Sequence, residues 1–106
     1  MKSILNRIAI ILFAASVVSP AFAQGSAADT YKTKCAMCHG ADGLGATPAG
    51  KMMKAASFKD PTIANASDSA LIAAVTHGKN KMPAYQGKLT DAEIKAVIGY
   101  VRMLEK

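Results

Sequence analysis

The chain has 106 residues and a mass of 11.0 kDa, which is too short for a multidomain enzyme. Its residues are 51% hydrophobic and 19% charged, and this composition excludes both a disordered polar tail and a membrane protein with several spans. The formal net charge is +6, although part of it lies in a segment that processing would remove.

Residues 1–23 have the three parts of a secretory signal peptide. A basic leader precedes an apolar run from Ile8 to Val18, and Ala21-Phe22-Ala23 supplies a small-residue cleavage site. At roughly 1.5 Å per residue the run spans about half of a ~30 Å hydrocarbon core, which disfavours the alternative of an uncleaved anchor. We therefore predict cleavage after Ala23, a periplasmic domain of residues 24–106 and no stable membrane insertion after cleavage.

Apolar residues of the mature chain recur at helical spacing, and no stretch has the alternation of a strand, so we predict an all-α fold. The first helix is predicted to begin near Ser26 and to continue to about Cys38. A glycine-rich loop is expected over residues 40–50, followed by one short helix at residues 51–56. A middle helix is predicted from about Asp68 to His77, capped by Ser67 or Asp68 and ended by Gly78.

The last helix has the clearest pattern. Thr90 and Glu93 have the spacing of a capping box, and the apolar stripe that follows consists of Ile94, Val97, Ile98, Val101 and Leu104. Gly99 lies inside this helix at a cost of about 1 kcal/mol relative to Ala. Its presence predicts a close approach by another element.

Cys35-Ala36-Met37-Cys38-His39 is a C-x-x-C-H run, the pattern of c-type haem attachment. Two intervening residues on a helical turn place both thiols on one side, where each can bond to a haem vinyl group. His39 is then held beneath the iron as an axial ligand. We therefore predict one covalent haem c with its iron.

Three other interpretations of this run remain open. A thioredoxin-like dithiol would need a βαβ context, for which no strand pattern exists. A zinc site would need two more ligands, and only His77 is an obvious further one. A plain disulfide between Cys35 and Cys38 would leave His39 without a role.

Met82 is predicted to be the second axial ligand of the iron. It directly precedes Pro83, which disfavours helical backbone at Met82 and favours an extended segment that can present the thioether. The rival ligand is His77, whose position at a helix end instead suggests a cation that stabilises the helix dipole. The other mature methionines, Met37, Met52, Met53 and Met103, are interpreted as packing residues.

The attachment motif, the Lys81-Met82-Pro83-Ala84-Tyr85 segment and the final amphipathic helix together resemble those of a small class I bacterial cytochrome c. The resemblance covers nearly the whole mature chain. It implies three main helices around one haem, with the first and last crossing, and a role as an electron carrier. It also implies that a carbonyl at Pro48 accepts the His39 ring proton, and that Ala27 or Ala28 occupies the helix crossing.

Ligation by His39 and Met82 would leave no open position on the iron, so we predict a soluble one-electron carrier that cycles between Fe(II) and Fe(III), not an enzyme. Thioether ligation and burial are expected to raise its reduction potential. The alternative is a haem-based ligand sensor or peroxidase-like enzyme with a labile Met82, and a thiol–disulfide protein is a third possibility.

The predicted partners are a redox donor and a redox acceptor with acidic docking surfaces. Lysines near the Met82 segment and in the middle of the chain would steer such partners; they are Lys79, Lys81, Lys88, Lys51 and Lys54. The alternative is that they are ordinary solvated side chains. No basic helix face with interleaved aromatic residues is present, so nucleic acid is not expected as a partner, and a monomer is the expected state.

Overall fold

The structure is a computed structural model that describes the backbone of residues 21–106 and the side chains from Ser26 onward. Most of the predicted signal peptide, residues 1–20, lies outside the described residues. The helices in the described part are α1 (Ala21–Lys34), α2 (Ala36–His39), α3 (Pro48–Met53), α4 (Pro61–Ala64), α5 (Asp68–His77) and α6 (Asp91–Leu104). Residues 21–106 contain isolated β-bridges but no strand, which confirms the all-α prediction.

The first and last helices, α1 and α6, cross with the most extensive helix–helix packing in residues 21–106. Tyr31 of α1 is buried there in one cluster with Val97 and Val101 of α6. Of the two alanines that the resemblance offers for the helix crossing, Ala27 is buried at 4% exposure and Ala28 is only partly buried. The helix α1 begins upstream of the predicted start near Ser26, because the preceding segment also has helix-compatible residues.

The predicted bounds of α5 and the predicted start of α6 are confirmed. The Ser67 hydroxyl accepts a hydrogen bond from the Ala70 N–H at the start of α5, and Gly78 follows its end with a φ of 77°. At the start of α6, the Thr90 hydroxyl accepts from the Glu93 N–H and the Glu93 carboxylate accepts from the Thr90 N–H, which completes the capping box.

The short helices differ from the prediction. Helix α3 begins at Pro48 rather than near residue 51, because the Thr47 hydroxyl caps the Gly50 N–H and proline is favourable at the first helical position. Helix α4 was not predicted, and it begins in the same way, with the Asp60 carboxylate accepting from the Thr62 N–H. Both starts have a capping residue followed by proline, a signal that was available in the sequence.

Arg102 of α6 fixes the turn between α4 and α5. Its guanidinium donates to the carbonyl oxygens of Ala64 at 3.3 Å and Ala66 at 2.5 Å, and it pairs with Asp68 at 2.9 Å. These contacts hold the start of α5 against α6.

Two apolar clusters form the core of the described residues. One consists of Leu71, Val75, Leu89, Ile94 and Ile98, and the other of Tyr31, Phe58, Val97 and Val101. Helix α6 contributes to both clusters, so it joins them. No helix in residues 21–106 combines the length and apolarity needed to cross a membrane.

The close approach predicted at Gly99 is wrong. A methyl group built on Gly99 would meet no heavy atom within 4 Å beyond the adjoining backbone of its own helix, and the residue is exposed. We therefore expect the Gly99→Ala variant to be more stable by about 1 kcal/mol, because Ala costs less conformational entropy in a helix. Urea unfolding followed by far-UV circular dichroism measures this change, and a loss of stability would contradict it.

Candidate haem site

A cavity of about 450 Å³ lies between the two apolar clusters. Its volume is in the range of small-molecule and cofactor sites. The apolar wall includes Tyr31, Phe58, Leu71, Val75, Val97 and Val101. Cys35, Cys38, His39 and Met82 line this same cavity, so the chain brings together the cysteine, histidine and methionine side chains predicted from the sequence.

The attachment motif lies at a break between two helices. Helix α1 ends at Lys34, and the short helix α2 starts after Cys35, whose φ is −120°. The Cys35 carbonyl then accepts from the Cys38 N–H at 3.3 Å and from the His39 N–H at 2.9 Å. This tight turn holds Cys35, Cys38 and His39 together at the cavity, where both cysteines are free and partly buried.

Burial raises the pKa of the Cys35 thiol to about 11. A redox-active dithiol requires the opposite shift, because the thiolate is the reactive form. The described residues also contain no cluster of three or more His, Cys, Asp or Glu side chains that could hold a metal ion. These findings weigh against the dithiol and zinc interpretations of the motif.

The His39 ring is oriented by two contacts. Its Nδ1 lies 3.1 Å from the Ala56 carbonyl oxygen, and its plane stacks on Phe58 with ring centroids 4.7 Å apart. Burial lowers the pKa of His39, an effect partly offset by the hydrogen bond to Ala56. The neutral ring with its proton on Nδ1 keeps the Nε2 lone pair available for a metal.

The expectation that Pro48 supplies the carbonyl for His39 is wrong. Pro48 is the first residue of α3, and the carbonyl at Nδ1 belongs to Ala56, in the loop after that helix. Every residue has a carbonyl group, so no side chain could have identified Ala56 in advance.

Helix α3 and its capping residue contact the backbone of the attachment motif. This contact was not predicted from the sequence. The Thr47 hydroxyl donates to the Met37 carbonyl at 2.6 Å and lies 3.1 Å from the Cys38 carbonyl oxygen. Gly50 packs so closely against the Cys38 backbone that an added methyl group would collide with the carbonyl oxygens of Cys38 and Gly45. The Thr47-Pro48 capping signal indicates where the helix begins, but it does not indicate that the helix packs against the attachment motif.

Met82 ends a tight turn. The Met82 N–H donates to the Lys79 carbonyl at 2.9 Å and the Lys79 N–H donates to the Met82 carbonyl at 3.1 Å, with Asn80 at a positive φ of 53° between them. Gly78 touches this turn, since a methyl group on it would lie 2.7 Å from the Met82 carbonyl oxygen. The half-buried Met82 side chain lines the cavity.

The other candidate ligands differ from Met82 in position. His77 is exposed at the end of α5 and does not line the cavity. Met53 lines the cavity but is 40% exposed. The interpretation of the remaining methionines as packing residues is wrong, because Met37, Met52 and Met103 are 75%, 77% and 57% exposed.

Comparison with known proteins gives consistent matches. Residues 23–101 match the family model described as cytochrome C oxidase, cbb3-type, subunit III. The chain is 38% identical over 105 residues to cytochrome c6 of Nostoc sp., covering 95% of this chain and 92% of the relative. It is 40% identical over 73 residues to cytochrome c6 of Leptolyngbya boryana, covering 67% and 80% of the two chains. The solved structure of the KustC0563 c-type cytochrome superposes with a TM-score of 0.69 at 32% identity, covering 76% of this chain and 98% of that one.

Proposed function

The chain belongs to the small class I cytochromes c and binds one covalent haem c with its iron, and from this premise we propose that it is a soluble periplasmic one-electron carrier with His39 and Met82 as axial ligands. The observation that carries the proposal is the convergence of Cys35, Cys38, His39 and Met82 on one apolar cavity. When bound, the haem supplies a single reversible electron change at the iron.

Each of these residues has a distinct task. Cys35 and Cys38 form the two thioether bonds that keep a large apolar cofactor in a small protein. His39 binds the iron through Nε2, since the Ala56 carbonyl holds Nδ1 and the Phe58 ring holds the plane. Met82 binds through its soft sulfur, which favours the ferrous state and raises the reduction potential.

The stability of the Met82 turn favours a carrier over an enzyme or a gas sensor. A sensor or a peroxidase-like enzyme needs an open or easily opened position on the iron. The paired hydrogen bonds between Lys79 and Met82, the contact with Gly78 and the rigid Pro83 all oppose movement of this segment. With both axial positions filled, the chain holds its ligands still while only the charge changes.

Exposed lysines at the cavity support acidic redox partners. Lys34, Lys54, Lys79 and Lys81 all line it, and each is exposed. A positive rim at the point of electron exchange would steer an acidic donor or acceptor by complementary charge. Redox encounters bury under about 1,200 Å² and are short-lived, so we propose a monomer that binds each partner transiently.

The export segment completes the proposal. Cleavage after Ala23 would leave a mature chain of residues 24–106 whose first residues belong to α1. Covalent attachment suits an exported carrier, since a haem bound through thioethers stays with its polypeptide.

Mass spectrometry of the protein purified from cells with haem-maturation machinery tests removal of the signal peptide and covalent attachment of the haem together. We expect the mass of residues 24–106 plus one haem, retained after denaturation because thioether bonds survive it. Protein made without the maturation machinery is the control and should show the polypeptide mass alone. Colourless matured protein with only the polypeptide mass would overturn the proposal.

A further inference from the structure

The Met82 loop, defined as residues 79–89, is anchored mainly on one side of the cavity. The Tyr85 N–H donates to the Val75 carbonyl at 2.9 Å and the Gln86 N–H donates to the Thr76 carbonyl at 3.1 Å, so both anchors are on α5. Among the described residues, one hydrogen bond joins the loop to the side of the attachment motif. The Tyr85 hydroxyl donates to the Lys34 carbonyl at 2.9 Å.

The break between α1 and α2 makes the Lys34 carbonyl available. Lys34 is the last residue of α1, and a continuous helix would pair its carbonyl with the Cys38 N–H. That N–H instead donates to the Cys35 carbonyl. A carbonyl at a helix end needs another donor, and the Tyr85 hydroxyl meets this need across a separation of 51 residues.

The packing of Tyr85 fixes the direction of this hydroxyl. The ring is half-buried, lines the cavity and packs against the cluster that contains Leu71 and Val75. The Lys88 ammonium lies 5.9 Å from its centroid. Burial also raises the pKa of Tyr85, which keeps the hydroxyl protonated as a donor.

We propose that Tyr85 is a positioning residue that ties the Met82 loop across the cavity to the backbone just before Cys35. The inference rests on the proposed function, in which Met82 is an axial ligand. Pro83 and Ala84 are the residues between Met82 and Tyr85, so Met82 cannot move far from the cavity while the hydroxyl bond holds. The hydroxyl therefore opposes ligand exchange at the iron without touching the haem iron itself.

Ligand exchange with imidazole on the ferric, haem-loaded protein tests the tie. The Tyr85→Phe variant keeps the ring and removes only the hydroxyl. On mixing with imidazole, the Met-to-iron charge-transfer band should disappear about fivefold faster in Tyr85→Phe than in the unmodified protein. Fivefold is the factor that corresponds to one net hydrogen bond of about 1 kcal/mol. The matched control is Tyr100→Phe, whose hydroxyl has no hydrogen-bond partner among the described residues, and its rate should equal that of the unmodified protein.

A second measurement separates the tie from general stability. In urea unfolding of Tyr85→Phe, the Met-to-iron band should disappear at a lower urea concentration than the helical circular dichroism signal. In Tyr100→Phe the two signals should disappear together. Equal exchange rates in both variants would overturn the inference while leaving Met82 as a ligand. Absence of the band in the unmodified protein would overturn the ligand assignment itself, and with it the tie.

Discussion

We expect the Met82→Ala variant of the haem-loaded protein to lose its Met-to-iron charge-transfer band completely and to bind carbon monoxide readily when reduced. Alanine has no donor atom, so one axial position of the iron becomes open. The reduction potential should also fall, by on the order of 0.1 V, because thioether ligation raises it and axial ligands set haem potentials over about 0.8 V. Absorption spectra with and without carbon monoxide, together with a redox titration, measure these effects.

The His77→Ala variant is the control for this experiment. His77 is exposed at the end of α5 and outside the cavity wall, so its removal should leave the spectrum, carbon monoxide binding and potential unchanged. A spectrum that changed in His77→Ala and persisted in Met82→Ala would show that the ligand assignment is wrong. A Met82→Ala protein that kept its band would point to another methionine, and Met53 is the one that also lines the cavity.

The parts of the site that could be predicted from the sequence are those formed by residues close together in the chain. The attachment motif places two thiols and an imidazole within one turn, and that turn is formed by adjacent residues. Pro83 restricts Met82 directly. Helix α5 begins and ends as predicted, and α6 begins as predicted, because Ser67, Gly78 and the Thr90–Glu93 box act on their own neighbours.

The remaining contacts depend on backbone atoms that meet across the fold. His39 is oriented by the Ala56 carbonyl and Tyr85 is held by the Lys34 carbonyl, and neither acceptor has a side-chain signature. The break after Lys34 was likewise hidden, since the residues on both sides are compatible with one helix. The prediction for Gly99 failed because a glycine in a helix indicates close packing only when a neighbour is present, and none is.

These contacts assign different tasks to the two sides of the cavity. The attachment side is built on the backbone of the motif, which α3 supports through Thr47 and Gly50. The Met82 side is a separate turn supported by α5. A change beneath the motif should therefore affect folding and haem attachment, whereas a change in the Met82 loop should affect ligation.

The Gly50→Ala variant should lose about 3 kcal/mol of stability, at the upper end of the range for overpacking a filled site. The added methyl group would collide with the carbonyl oxygens of Cys38 and Gly45, and backbone atoms cannot turn aside as a side chain can. Moving Cys38 should also lower the fraction of chains with two thioether bonds. Urea unfolding and mass spectrometry of the matured protein measure the two effects. Gly99→Ala is the matched change, a helical glycine with open space around it, and its stability should rise. Because both variants gain the same helix propensity, equal shifts in the same direction would contradict the close packing of α3 beneath the attachment motif.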